Sequence, residues 1–136
     1  MKNFVVCCAV LLLIAGCGPN VSMKGKVTFE DDGSPLTKGQ VFFSTPTFQA
    51  SGEIKEDGSF VIGSQRSNDG LPTGTYKVAI VGAEDLMASG NPNQPSYSLV
   101  DPIYSSPQTT DLTFEVTPST HVYDIKVRRN PVPRPK

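Results

Sequence analysis

From Val21 onward the side chains alternate in polarity with a period of two, and this alternation restricts the fold more than any other feature. In VSMKGKVTF, Val21, Met23, Val27 and Phe29 share one face, while Ser22, Lys24, Lys26 and Thr28 share the other. A half-buried strand has this pattern because successive side chains leave the pleated backbone on opposite sides. Six further segments are expected as strands: QVFFS (40–44), ASGEIK (50–55), GSFVIG (58–63), GTYKVAIVG (74–82), DLTFEV (111–116) and HVYDIKV (121–127). Tyr76, Val78 and Ile80 then face one way and Lys77, Ala79 and Val81 the other. Leu112, Phe114 and Val116, like Tyr123, Ile125 and Val127, are expected to face inward. No window after Val21 carries a convincing 3.6 period. Seven short strands in a chain with 12 glycines and 12 prolines predict an all-β fold, a seven-stranded antiparallel β-sandwich spanning residues 21–129.

The connections are of two kinds. EDDGSPLTKG is dense in turn formers, and Glu56-Asp57-Gly58 predicts a hairpin between the third and fourth strands, since glycine accepts the positive φ of such turns. The stretch from Ala83 to Thr110 is different: 28 residues with four prolines and no period. Structureless loops of that length are uncommon in compact domains and tend to be functional or mobile. It also carries Leu86, Met87, Tyr97, Leu99, Val100, Ile103 and Tyr104, too apolar for a plain linker. Pro102 to Tyr104 are expected to pack along a sheet edge. Residues 130–136 form a basic, Pro-rich tail, expected to be extended and solvated.

The N-terminus follows other rules. Met1-Lys2-Asn3 is a short positive lead, Phe4 to Ile14 is uninterruptedly apolar, and Ala15-Gly16 are small. The run is shorter than the roughly 18 residues of a membrane span, and its flanks are those of a secretory signal, here residues 1–16. Leu13-Ile14-Ala15-Gly16-Cys17 resembles a bacterial lipobox, in which the cysteine becomes the new N-terminus. The resemblance implies a diacylglyceryl thioether on Cys17, often with an acylated amine. Two or more chains are what stable anchoring needs, each buried methylene adding about 0.8 kcal/mol. Cys7 and Cys8 lie within the signal, so Cys17 is left without an intramolecular disulfide partner. Only Gly18-Pro19-Asn20 would separate the anchor from the first strand, a reach of about 10 Å.

A second resemblance lies in the strands and turns. Gly25 and Val27; Asp32, Gly33, Pro35 and Leu36; Gly39 and Val41; Asp57, Gly58 and Phe60; and Leu71, Gly74, Tyr76 and Val78 together resemble the signature of transthyretin-like, carboxypeptidase-regulatory-like β-sandwiches. With the lipobox and the PIYSSPQTTDLTFEV segment, residues 13–128 resemble small lipoproteins abundant in planctomycete-type bacteria. This implies the fold without naming an activity. The enzyme branch of the transthyretin superfamily, the hydroxyisourate hydrolases, relies on several histidines, an arginine and a terminal Tyr-Arg-Gly-Ser. Here His121 is the single histidine and the sequence closes on Pro-Arg-Pro-Lys, so no enzyme is expected, and no cofactor.

Other chemistry has sparse support. The acidic turns Asp31-Asp32, Glu56-Asp57 and Asn68-Asp69 lack the alternating spacing of a calcium loop, and no metal is expected. Thirteen acidic residues against twelve basic ones, eleven once Lys2 is removed with the signal, give a mature net charge of −2 and argue against a nucleic-acid partner. Tyr97 and Tyr104 are the candidate interaction residues of the long loop. Arg128, Arg129, Arg134 and Lys136 place positive charge within reach of anionic headgroups. The expectation is an exported, non-enzymatic envelope protein held to a membrane through Cys17, serving as a structural or protein-interaction module. The alternative is an extracellular glycan- or peptide-binding module. Gly18 in place of an aspartate favours the outer membrane over the inner.

Overall fold

The computed structural model describes residues 20–63, 70–85, 93 and 96–133. The expected signal helix, Cys17, Asn68-Asp69, Leu86, Met87, Arg134 and Lys136 lie outside them. Nine strands are present among the described residues: β1 (Lys24–Phe29), β2 (Gln40–Ser44), β3 (Gln49–Glu53), β4 (Ser59–Val61), β5 (Gly74–Val81), β6 (Glu84–Asp85), β7 (Tyr97–Ser98), β8 (Thr113–Val116) and β9 (Ile125–Val127). Six of the seven expected segments contain one, the seventh overlaps β3, which starts one residue earlier at Gln49, and β6 and β7 are additions from the long loop.

The chain is an all-β sandwich. One layer has three strands in the order β4-β1-β9, and the other has four in the order β3-β2-β5-β8. Between them lies one apolar core containing Met23, Val27, Leu36, Val41, Phe43, Phe60, Ile62, Leu71, Val78 and Val127, all at most 1% exposed. Its centre is aromatic: the Phe43 ring has Phe60, Tyr76, Phe114 and Tyr123 around it at centroid distances of 6.1–6.5 Å. Most of these pairs meet edge to face, the arrangement ring quadrupoles favour.

Two details differ from the sequence reading. Asp57-Gly58 does make a tight turn, with Gly58 at φ 84° and Asp57 accepting from both the amide and the hydroxyl of Ser59. Its arms meet in hairpin register at two points, the Lys55 amide donating to the Ser59 carbonyl and Ser51 and Gly63 exchanging backbone hydrogen bonds, all at 2.9 Å, but their longer ladders lie elsewhere. β3 pairs with β2 and β4 pairs with β1, so the chain crosses from one sheet to the other at this corner. The ladders are antiparallel with one exception, β1 with β9, which runs parallel. β8 and β9 belong to different sheets, so the connection must cross the sandwich, and it delivers β9 beside β1 in the same direction.

Gly25 shows why the first signature glycine stands where it does. A Cβ there would lie 1.8 Å from the Tyr123 carbonyl oxygen, because the segment before β9 presses against β1. Tyr76 ends the opposite layer with a tie of its own. Its ring is buried while its hydroxyl donates to the Pro72 carbonyl at 2.8 Å, a short-range latch similar to the tyrosine corner of other sandwiches.

Candidate functional site

The 83–110 stretch is largely built into the sandwich. It leaves β5 through β6, returns through β7, and pairs Val100 with Arg129 just past β9. It then forms a 3-10 helix, Pro102–Ser105, with Asp101 accepting from the Ile103 amide at its start. That helix packs against β5, as expected for Pro102 to Tyr104. Beside it Thr110, itself buried, donates its hydroxyl to the Val78 carbonyl and accepts from the Leu112 amide. β8 pairs only with residues 74–77 of β5, so Thr110 takes over where the ladder ends.

The two loop tyrosines therefore have different surroundings. Tyr104 is 1% exposed; its ring joins the core and its hydroxyl accepts from the Arg128 amide at 3.2 Å. A ring so covered presents no face on which a sugar could stack, which corrects its place as an interaction residue. Burial also pushes its phenol pKa up. Tyr97 is half-buried in β7, and its hydroxyl donates to the Val132 carbonyl at 2.7 Å, holding the start of the tail.

Arg128 and Arg129, at the end of the sandwich, are tied to it by their side chains. Arg129 donates from Nε to Asp31 at 2.8 Å, and from a terminal nitrogen to Asp32 at 2.9 Å and Ser34 at 3.0 Å. Its guanidinium lies 3.8 Å from the Phe29 ring centroid, a cation–π contact. Arg128 pairs with Asp111 and Asp101 and lies over the Tyr104 ring. Asn130 adds a side-chain bond to the Ser98 carbonyl. The first acidic turn thus has its charge met by Arg129. The Ser34 hydroxyl, the Ser34 amide and then Arg129 lower the Asp32 pKa from 3.8 to about 2. At the second acidic turn, Asp57 is lowered chiefly by the Ser59 hydroxyl and amide.

His121 is exposed at the end of the three-stranded sheet, with Nδ1 3.3 Å from the Ser22 carbonyl. It lines a shallow depression of about 260 Å³ with Ser22, Lys24 and Val61. A second groove of about 390 Å³ runs over Ser44, Thr45, Pro46, Lys77, Pro107 and Gln108. The arginine clasp escaped the sequence reading because 97 residues separate Arg129 from Asp32. The burial of Tyr104 did leave a signal, the apolar run of Ile103 and Tyr104 after a proline.

No family model matches the chain, and no curated protein matches it. Among solved structures it is similar to the major pilin subunit of Bacillus cereus, with a TM-score of 0.49 and 12% identity over 82% of this chain and 30% of that one. It is also similar to a DUF3823 family protein from Bacteroides ovatus, with a TM-score of 0.43 and 17% identity over 82% of this chain and 45% of that one. The chain thus spans less than half the length of either protein.

Proposed function

We propose that this chain is a non-enzymatic, lipid-anchored module of the cell envelope, exported and held to the outer membrane through Cys17, with a structural or protein-interaction role. The observation that carries this reading is the position of Val21. It is buried, and it exchanges backbone hydrogen bonds with Leu71 at 2.7 and 3.0 Å. The packed domain therefore begins four residues after the lipobox cysteine, and an acylated Cys17 would hold the sandwich itself at the bilayer. The transthyretin-like signature supports a scaffold role, since Val27, Leu36, Val41, Phe60, Leu71, Tyr76 and Val78 all lie in the core.

An interaction role is supported by β8. It closes one end of the four-stranded sheet and, among the described residues, pairs on one side only, with β5. An open edge of this kind can accept a strand from another protein. Protein is preferred to glycan because the Tyr104 ring is buried and the Tyr97 hydroxyl is engaged by the tail. A photo-crosslinker at the exposed Thr113 or Glu115 should capture a discrete envelope protein in intact cells. Capture of cell-wall glycan in place of protein contradicts the interaction role.

A further inference from the structure

The three-stranded sheet turns its other face to solvent. Its outward residues are Lys24, Lys26 and Thr28 on β1, Ser59 and Val61 on β4, and Lys126 on β9. The parallel register sets Thr28 beside Lys126 and Lys24 beside Val122, which brings Asp124 beside Lys26. On its other side Lys24 pairs with Val61. Lys24 thus stands between two exposed valines, Val61 at 36% and Val122 at 54%. Among the described residues, Val132 is the only other large apolar side chain so exposed.

Charge on this face has a positive excess. Lys24, Lys26 and Lys126 make no ion pair among the described residues, whereas Lys38, Arg128 and Arg129 do. Against these three lysines stands Asp124 on the face itself, with Asp57 attracting Lys26 from the adjoining turn. The outer face of the four-stranded sheet has the opposite balance, Lys77 against Glu53 and Glu115.

We infer that the outer face of the three-stranded sheet docks on an anionic bilayer surface, with Lys24, Val61, Val122 and His121 at its leading end. This rests on the lipid anchor proposed above. From Cys17 to Val21 the chain reaches at most about 14 Å, and β1 starts three residues later. The end of the sheet that carries the valines is therefore the end nearest the tether. Lysines attract anionic headgroups while their methylene stems and the two valines cover the interfacial layer. The anchor limits distance, and this face sets orientation.

The test uses the mature chain, residues 17–136 with Cys17→Ser, which carries no lipid and keeps every described element. It is floated with vesicles of phosphatidylcholine alone, or of phosphatidylcholine with phosphatidylglycerol. Binding should require phosphatidylglycerol, weaken with added salt, and fall about fivefold for each of Lys24→Gln and Lys126→Gln. Val122→Ser should weaken it further, and Lys77→Gln on the opposite face should leave it unchanged. Absence of phosphatidylglycerol-dependent binding overturns the inference, as does an equal loss for Lys77→Gln. A concentration-dependent dimer abolished by Val122→Ser would assign the face to a second copy and overturn it as well. Lipid on Cys17 is read separately, by the mass of the native protein, so the anchor can stand where this surface fails.

Discussion

Gly25 has no side chain because the Tyr123 carbonyl occupies the space where one would begin. Gly25→Ala must push β1 and the approach to β9 apart, and should cost about 2–4 kcal/mol, measured as a lowered urea midpoint. Tyr76→Phe keeps the ring in the core but leaves the Pro72 carbonyl without its donor, a loss of about 1 kcal/mol in the same measurement. Asp32 makes a prediction in pH. Its folded pKa is depressed below the unfolded value, so its contribution is present above the ordinary carboxylate range and is lost as pH falls through about 2. Ser34→Ala removes the hydroxyl that acts most strongly on it. The Asp32 carboxyl should then titrate at higher pH by NMR, and the acid-side loss of stability should begin earlier. An unchanged titration would show that Ser34 does not hold this carboxylate.

Among the elements, the 83–110 stretch is where sequence and structure differ most in what they reveal. Alternation marked all seven principal strands, because each has one face in the core and, apart from the upper half of β5 where Ala79 is also buried, one toward water. It was silent about β6 and β7, since two-residue ladders are too short to show a period. It was silent about the 3-10 helix too, whose single buried anchor is Tyr104. Local turn chemistry located Asp57-Gly58 and the meeting of its two arms, but not the longer ladders that β3 makes with β2 and β4 with β1. The parallel pairing of β1 with β9 is set by a crossing of the sandwich that no short window contains. Tyr104→Ala should cost about 3–5 kcal/mol, as for other large buried aromatics. Thr110→Val should cost about 1–3 kcal/mol by leaving the buried Val78 carbonyl without its hydroxyl donor. Hydrogen exchange should show faster exchange in the upper half of β5 in both variants, with β1 and β4 unaffected. Uniform loss of protection across both sheets would contradict a local clasp.

At the scale of the molecule, the sandwich is closed by contacts between its late and early parts. Arg129 holds the turn after β1, Asn130 holds β7, and Tyr97 holds the tail. The long loop and the C-terminal segment thereby fasten one side of the structure, and the outer face of the three-stranded sheet is the side proposed to meet a membrane. The proposed orientation at a membrane rests on Cys17, a residue that the lipobox resemblance singles out from the sequence alone. Its proposed consequence for position depends on Val21, whose burial would leave only Gly18, Pro19 and Asn20 as tether. The most direct measurement is the intact mass of the protein extracted from the membrane fraction of its native cell. The predicted result is a chain beginning at Cys17 and carrying diacylglycerol on its sulfur. A chain that still begins at Met1, or a Cys17 with a free thiol, would contradict the account.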